Sequence, residues 1–165
     1  MSGLLSPLPS LTTRVLAGVL PLCLLVAAAC GAKPVTPVGF AQVGMRVGDT
    51  PRCFWLADTE ALRDRGLMDV TSLGRLDGML FRFDQPTNVA FYMYRTKFLL
   101  TVIFLSENGT VLGTKDMQPC PATNAADCPT FQSPAPYRSA VEVPLGRSDA
   151  LGFSPRQTTA TSANC

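Results

Sequence analysis

Chemistry in this chain has to come from six cysteines, twelve acidic residues and a short aromatic run, because its 165 residues include no histidine. That absence excludes a Ser-His-Asp triad, a Cys-His dyad, a histidine-ligated zinc and an imidazole proton shuttle. Cys120 and Cys128 lie in a proline-rich stretch. Their spacing is not the Cys-X-X-Cys of a redox dithiol, and a four-ligand metal site would need two further ligands. A disulfide closing that loop would contribute about 2.5 kcal/mol by the chain-entropy account. Free thiols or another pairing are the alternatives. Glu60, Asp64, Asp77 and Glu142 are the acids that could converge as general acid and base, as in glycoside cleavage. Against this, Asp58, Glu60 and Asp64 suit solvated helix positions, and Glu142 between Val141 and Val143 suits the solvent side of a strand. The run Phe91, Tyr92, Met93, Tyr94 could line a ligand groove, with Arg65, Arg95 and Lys97 as polar partners. Its plainer role is core and strand edge. Met68, Met79 and Met93 are better core filler than ligands for a soft metal, so no metal or cofactor is expected.

Location comes from the N-terminus. Val15 to Ala29 is apolar, follows Arg14 and is interrupted by Pro21. It is shorter than the roughly 20 residues a membrane-spanning helix needs and suits the hydrophobic region of a secretory signal. It ends Val26-Ala27-Ala28-Ala29-Cys30, small residues before a cysteine, which resembles a bacterial lipoprotein signal with Cys30 as the lipidated new terminus. Ala27 stands where leucine is usual in such signals, and ordinary cleavage near Ala27–Ala29 or an uncleaved anchor are the alternatives. Each places the domain outside the cytoplasm, lipid-anchored to the cell membrane or secreted. The net charge is +2. With scattered charges of both signs, nucleic acid is not an expected partner.

The expected organisation is a signal over 1–29, a tether over 30–39, one β domain over 40–153 and a loose tail over 154–165. Val43, Met45 and Val47 alternate, as do Cys53, Trp55 and Ala57, which predicts two strands around the turn Gly48-Asp49-Thr50-Pro51. Asp58 is the expected cap of a short helix ending at Gly66. Strands follow over 78–83 and 89–94, then a central strand over 98–105 that is apolar on both faces. Asn108-Gly109 predicts a hairpin pairing 100–107 with 110–117, with both turn residues at positive φ. A long loop covers 118–136, a strand 137–143, and Ser148 caps a closing turn. The sum is a mainly β fold, a small sandwich or barrel with one short α-helix.

Several of these segments together resemble the domain of unknown function 192 family of bacteria and archaea. Arg65-Gly66-Leu67-Met68 resembles its RGLM segment and Gly78-Met79-Leu80-Phe81 its GMLF segment. Phe91-Tyr92-Met93-Tyr94-Arg95-Thr96 resembles its FWMKNT segment, with Tyr94 and Arg95 in place of Lys-Asn. Thr101 stands where the family has an aspartate. The resemblance implies an exported, often lipid-anchored β domain and implies no particular reaction. The expected function is therefore a non-catalytic envelope binding module, anchored through Cys30 and meeting a small ligand or envelope partner. An acid-based envelope hydrolase and a purely structural envelope protein are the alternatives.

Overall fold

A computed structural model describes residues 32–162 and Cys165; the signal segment and Cys30 lie outside the described residues. The fold is mainly β. Its elements are β1 (Ala41–Val47), β2 (Thr50–Ala57), α1 (Glu60–Arg65), β3 (Gly78–Thr87), β4 (Phe91–Tyr92), β5 (Leu100–Leu105), β6 (Val111–Met117), β7 (Thr130–Phe131), β8 (Tyr137–Pro144) and β9 (Thr159–Ser162). Seven strands form one sheet in the order β6-β5-β8-β3-β2-β1-β9, while β4 and β7 pair separately. Every pairing in the large sheet is antiparallel except β2 with β3. A parallel pair cannot be joined by a tight turn, and the crossover between β2 and β3 carries α1.

The sheet curls until its two edges meet. Thr110, beside β6, bridges Thr158, beside β9. The backbone amides of Val111 and Thr159 donate to the carbonyls of Gln157 and Gly109, both at 2.9 Å. Inside the curl, Met45, Phe54, Leu80, Ile103, Val141 and Phe153 belong to one apolar cluster. A second cluster lies on the opposite face, where Met79, Phe81, Val102, Phe104 and Ala140 pack beneath β4, Leu67 and Val70. The central strands are buried on both faces, and β5 is buried at every position.

Four details depart from the sequence expectations. Thr59, not Asp58, caps α1 by accepting from the Leu62 amide at 3.3 Å, and the Asp58 carboxylate instead accepts from Arg82 at 2.9 Å. In the 105–111 hairpin, the Gly109 amide donates to Ser106 and the Ser106 amide to Thr110. Gly109 alone takes positive φ, at 79°, and Asn108 does not. This is a three-residue loop of type I turn plus glycine bulge, and the ladder shifts register at Phe104/Leu105 to absorb the bulge. The segment assigned to the tether is docked from Val35, whose amide donates to Thr71 Oγ1 at 2.8 Å and whose carbonyl accepts from Thr71 and Ser72. The tail is not loose throughout: β9 pairs with β1 from Val47–Thr159 to Gly44–Ser162, because β1 otherwise presents an open edge.

Candidate functional site

The outer face of the sheet, under α1, holds a cavity of about 280 Å³. Its floor follows from strand alternation. In β8, Ala140 and Glu142 share a face, and Glu142 stands opposite Met79 of β3 and Val102 of β5. All three neighbours belong to the outer cluster. Glu142 is therefore aimed into the layer beneath α1, not toward solvent as the flanking valines suggested, and it is 4% exposed. No hydrogen bond to its carboxyl is present among the described residues, and no fully enclosed side-chain polar atom there lacks a partner. Its oxygens consequently open onto the cavity that it lines. Burial pushes this carboxyl from an ordinary 4.5 up to about 8.

The walls are aromatic. Phe81 and Phe91 meet edge to face at 5.0 Å between ring centroids, and Phe91 packs on Phe104 at 5.8 Å. Tyr137 closes the group behind them at 5.4 Å from Phe83, donating its hydroxyl to the Val89 carbonyl at 2.7 Å. Burial raises that phenol above its usual range, an effect that Arg63 opposes. Phe81 fixes the end of α1 as well. The helix stops at Gly66, which has φ 46°, and a Cβ there would lie 3.4 Å from the Phe81 ring.

The helix brings charge to the mouth. Glu60, Arg63, Asp64 and Arg65 line it. Both guanidinium groups are already engaged. Arg63 donates to the carbonyls of Asp58 and Arg82, each at 2.8 Å, and lies 4.8 Å over the Phe83 ring. Arg65 donates to Val38 at 2.7 Å and lies 4.3 Å over Phe40. Glu60 and Asp64 are exposed at the rim. Among the described residues, no three acidic or cysteine side chains come together as a metal-holding group.

Of the residues expected to form a contact region, Arg65, Phe91, Tyr92 and Tyr94 line this cavity. Met93 does not line it and is core, 1% exposed. Arg95 does not line it either. Three residues beyond β4 and at positive φ, it pairs with Asp69, which Lys97 also approaches at 3.2 Å. The hydrogen bond from Arg95 holds the Asp69 carboxyl below its ordinary value. Cys120 and Cys128 are disulfide-bonded, with Cα atoms 5.7 Å apart. The Cys120 amide donates to the Met93 carbonyl at 3.1 Å, and Tyr94 donates its hydroxyl to Thr123 at 3.2 Å, so this loop braces the aromatic segment from behind. Asp77 is remote from the cavity in its bonding: its carboxylate accepts from the Cys53 amide at 3.2 Å. Cys53 is half-buried, and its thiol is pushed up to about 11, first by burial and then by the nearby Cys165. Among the cavity residues that the sequence did not single out are Arg63, Phe81, Phe83 and Thr96. The alternation of Phe81 and Phe83 put them on one strand face, but nothing in their spacing said that α1 would lie across it.

Residues 43–159 match the family described as an uncharacterized ACR, domain of unknown function 192. The chain belongs to that family. No curated protein matches it. Two crystal structures share the fold. One, from Sinorhizobium meliloti 1021 and described as a proposed transcription regulator, is 23% identical with a TM-score of 0.65, covering 76% of this chain and 97% of its own. The other, a protein of unknown function from Novosphingobium aromaticivorans DSM 12444, is 26% identical with a TM-score of 0.61, covering 78% and 93%. Within the domain of unknown function 192 match lie the three strands that supply the cavity floor, β3, β5 and β8, the helix at its mouth and the disulfide loop behind it.

Proposed function

We propose that this member of the domain of unknown function 192 family is a binding module of the cell envelope, held at the membrane by a lipid on Cys30, with the cavity beneath α1 as its ligand site. The observation that carries the binding reading is the cavity itself. It is close to the lower end of the roughly 300–1,000 Å³ range of small-molecule sites, it is walled by aromatic rings, and it is lined by two buried polar residues, Glu142 and Thr96. The anchoring reading is supported by the Ala-Ala-Ala-Cys30 sequence after an apolar segment and by a disulfide, which persists outside the cytoplasm. A thermal-shift screen of small organic compounds tests the site. Compounds that raise the melting temperature of the wild type should lose that effect with Tyr92→Ala, a substitution at a partly exposed wall residue. Equal shifts in both proteins would place binding elsewhere.

One observation favours a second reading, an acid-based hydrolase: Glu60, Asp64 and Glu142 line the same cavity. A carboxyl protonated near neutral pH is what a general acid requires. Turnover of chromogenic glycosides by the wild type, abolished in Glu142→Gln, would establish it and displace the non-catalytic reading.

A further inference from the structure

The cavity beneath α1 has two independent features that together specify a ligand class. The first is Glu142, 4% exposed, without a hydrogen-bond partner among the described residues and opening onto the cavity. A carboxyl taken out of water and left unpaired is costly, and the cost is relieved by a donor that reaches it. The second is the wall around it. Phe81 and Phe91 present aromatic surface, which attracts cations electrostatically. Neither arginine at the mouth bonds to Glu142. Arg63 and Arg65 are tied to backbone carbonyls and laid over Phe83 and Phe40. With both guanidiniums held on backbone carbonyls in this way, the charged side chains at the mouth without a bonded partner among the described residues are Glu60 and Asp64, both acidic.

Resting on the binding reading above, we propose that the cavity takes a small organic cation: a primary ammonium group seated on Glu142, with an apolar or aromatic body against Phe81 and Phe91. An anionic ligand would meet three carboxyl groups and two arginines already engaged. A purely apolar ligand would leave Glu142 unpaired. The titratable and charged groups that line the cavity with Glu142 are Glu60, Arg63, Asp64 and Arg65 from α1, Tyr92 from β4 and Tyr94 after it; Tyr137 of β8 lies behind the wall with its hydroxyl on the Val89 carbonyl, and β3 and β5 offer apolar side chains on this face. Because burial holds the empty carboxyl protonated at neutral pH, an ammonium ion bound there makes it ionise. Binding therefore releases a proton into solution, and affinity rises with pH until the amine itself loses its charge.

The experiment is isothermal titration of the purified full-length protein with 2-phenylethylamine and with 2-phenylethanol, its uncharged counterpart of similar shape. The amine is expected to bind at least tenfold more tightly than the alcohol at pH 8.5. Its affinity should fall at least tenfold at pH 6, with proton release measurable from buffers of different ionisation enthalpy. Glu142→Gln should bring the two compounds to equal affinity while the alcohol binds as before. Equal affinity in the wild type, or an amine preference that survives Glu142→Gln, would overturn the cation assignment and leave the cavity as a binding site. Failure of both compounds to bind the wild type would overturn the assignment and the cavity reading together. The wild-type comparison needs no variant, so it decides even if the substitution impairs folding.

Discussion

Glu142 keeps its proton because the fold removes it from water and provides no donor in exchange. The consequence for stability has a definite sign. In the unfolded chain the carboxyl ionises near 4.5, while in the folded protein it stays protonated up to about 8. Between those values the native state holds the extra proton, so stability falls as pH rises from about 4.5 to about 8. Glu142→Gln, which cannot ionise, should remove that part of the slope and leave the variant more stable than the wild type at pH 9. Parallel denaturant titrations at pH 5, 7 and 9 would show this, and equal slopes for the two proteins would contradict it. Cys53 obeys similar physics at lower stakes. Its thiol is raised by burial, so iodoacetamide at pH 8 should modify exposed Cys165 well before Cys53, as peptide mapping over time would reveal.

Two connecting elements hold the site in shape. The Cys120–Cys128 loop bonds to Met93 and Tyr94 from behind, so its value lies in bracing the aromatic segment as much as in its entropy. Replacing both cysteines with serine should cost about 2–3 kcal/mol in denaturant unfolding. Thiol counting should find no reaction at these positions in the oxidised wild type. The hairpin turn matters for a different reason. A Cβ at Gly109 would fall 2.1 Å from the Thr159 carbonyl oxygen, on a backbone already at positive φ. Gly109→Ala should therefore open the seam between β6 and β9 and accelerate amide exchange in Thr159–Ser162, with a loss of about 1–3 kcal/mol. Asn108-Gly109 announced the hairpin in advance but not its loop type, and β9 packs against the turn, the Thr159 amide donating to the Gly109 carbonyl. Asn108 stays at negative φ because the bulge falls on Gly109, not on a two-residue turn.

At the scale of the molecule, a curled sheet has apolar contents on both faces, and only the inner one is closed by the sheet itself. The outer face is covered by α1, β4 and β7, short pieces that leave the cavity between them. Because β9 closes the curl, a chain ending at residue 153 should expose the β1 edge and lose stability, seen as a lower melting temperature and greater self-association. Anchoring is tested on whole cells. Metabolic labelling with a fatty-acid analogue should mark the wild type and not Cys30→Ala, which should leave the membrane fraction; no label on the wild type would exclude the anchor.

The sequence by itself determined the β alternation, the helix stop at Gly66, the hairpin at Gly109 and the family to which the chain belongs, because these rest on local periodicity, turn chemistry and ordered short motifs. It also shows that these 165 residues offer no histidine for chemistry. Only the tertiary structure decided which face of each strand was covered. Glu142 between two valines is compatible with solvent or with the core, and the difference lies in whether α1 crosses that face, roughly eighty residues earlier in the chain. The same crossing gathered Arg65, Phe91, Tyr92 and Tyr94 around one cavity. It left Arg95 outside, since a single positive φ at that residue turned it toward Asp69. Strand alternation is a local property, whereas burial is settled by what the rest of the chain lays on top.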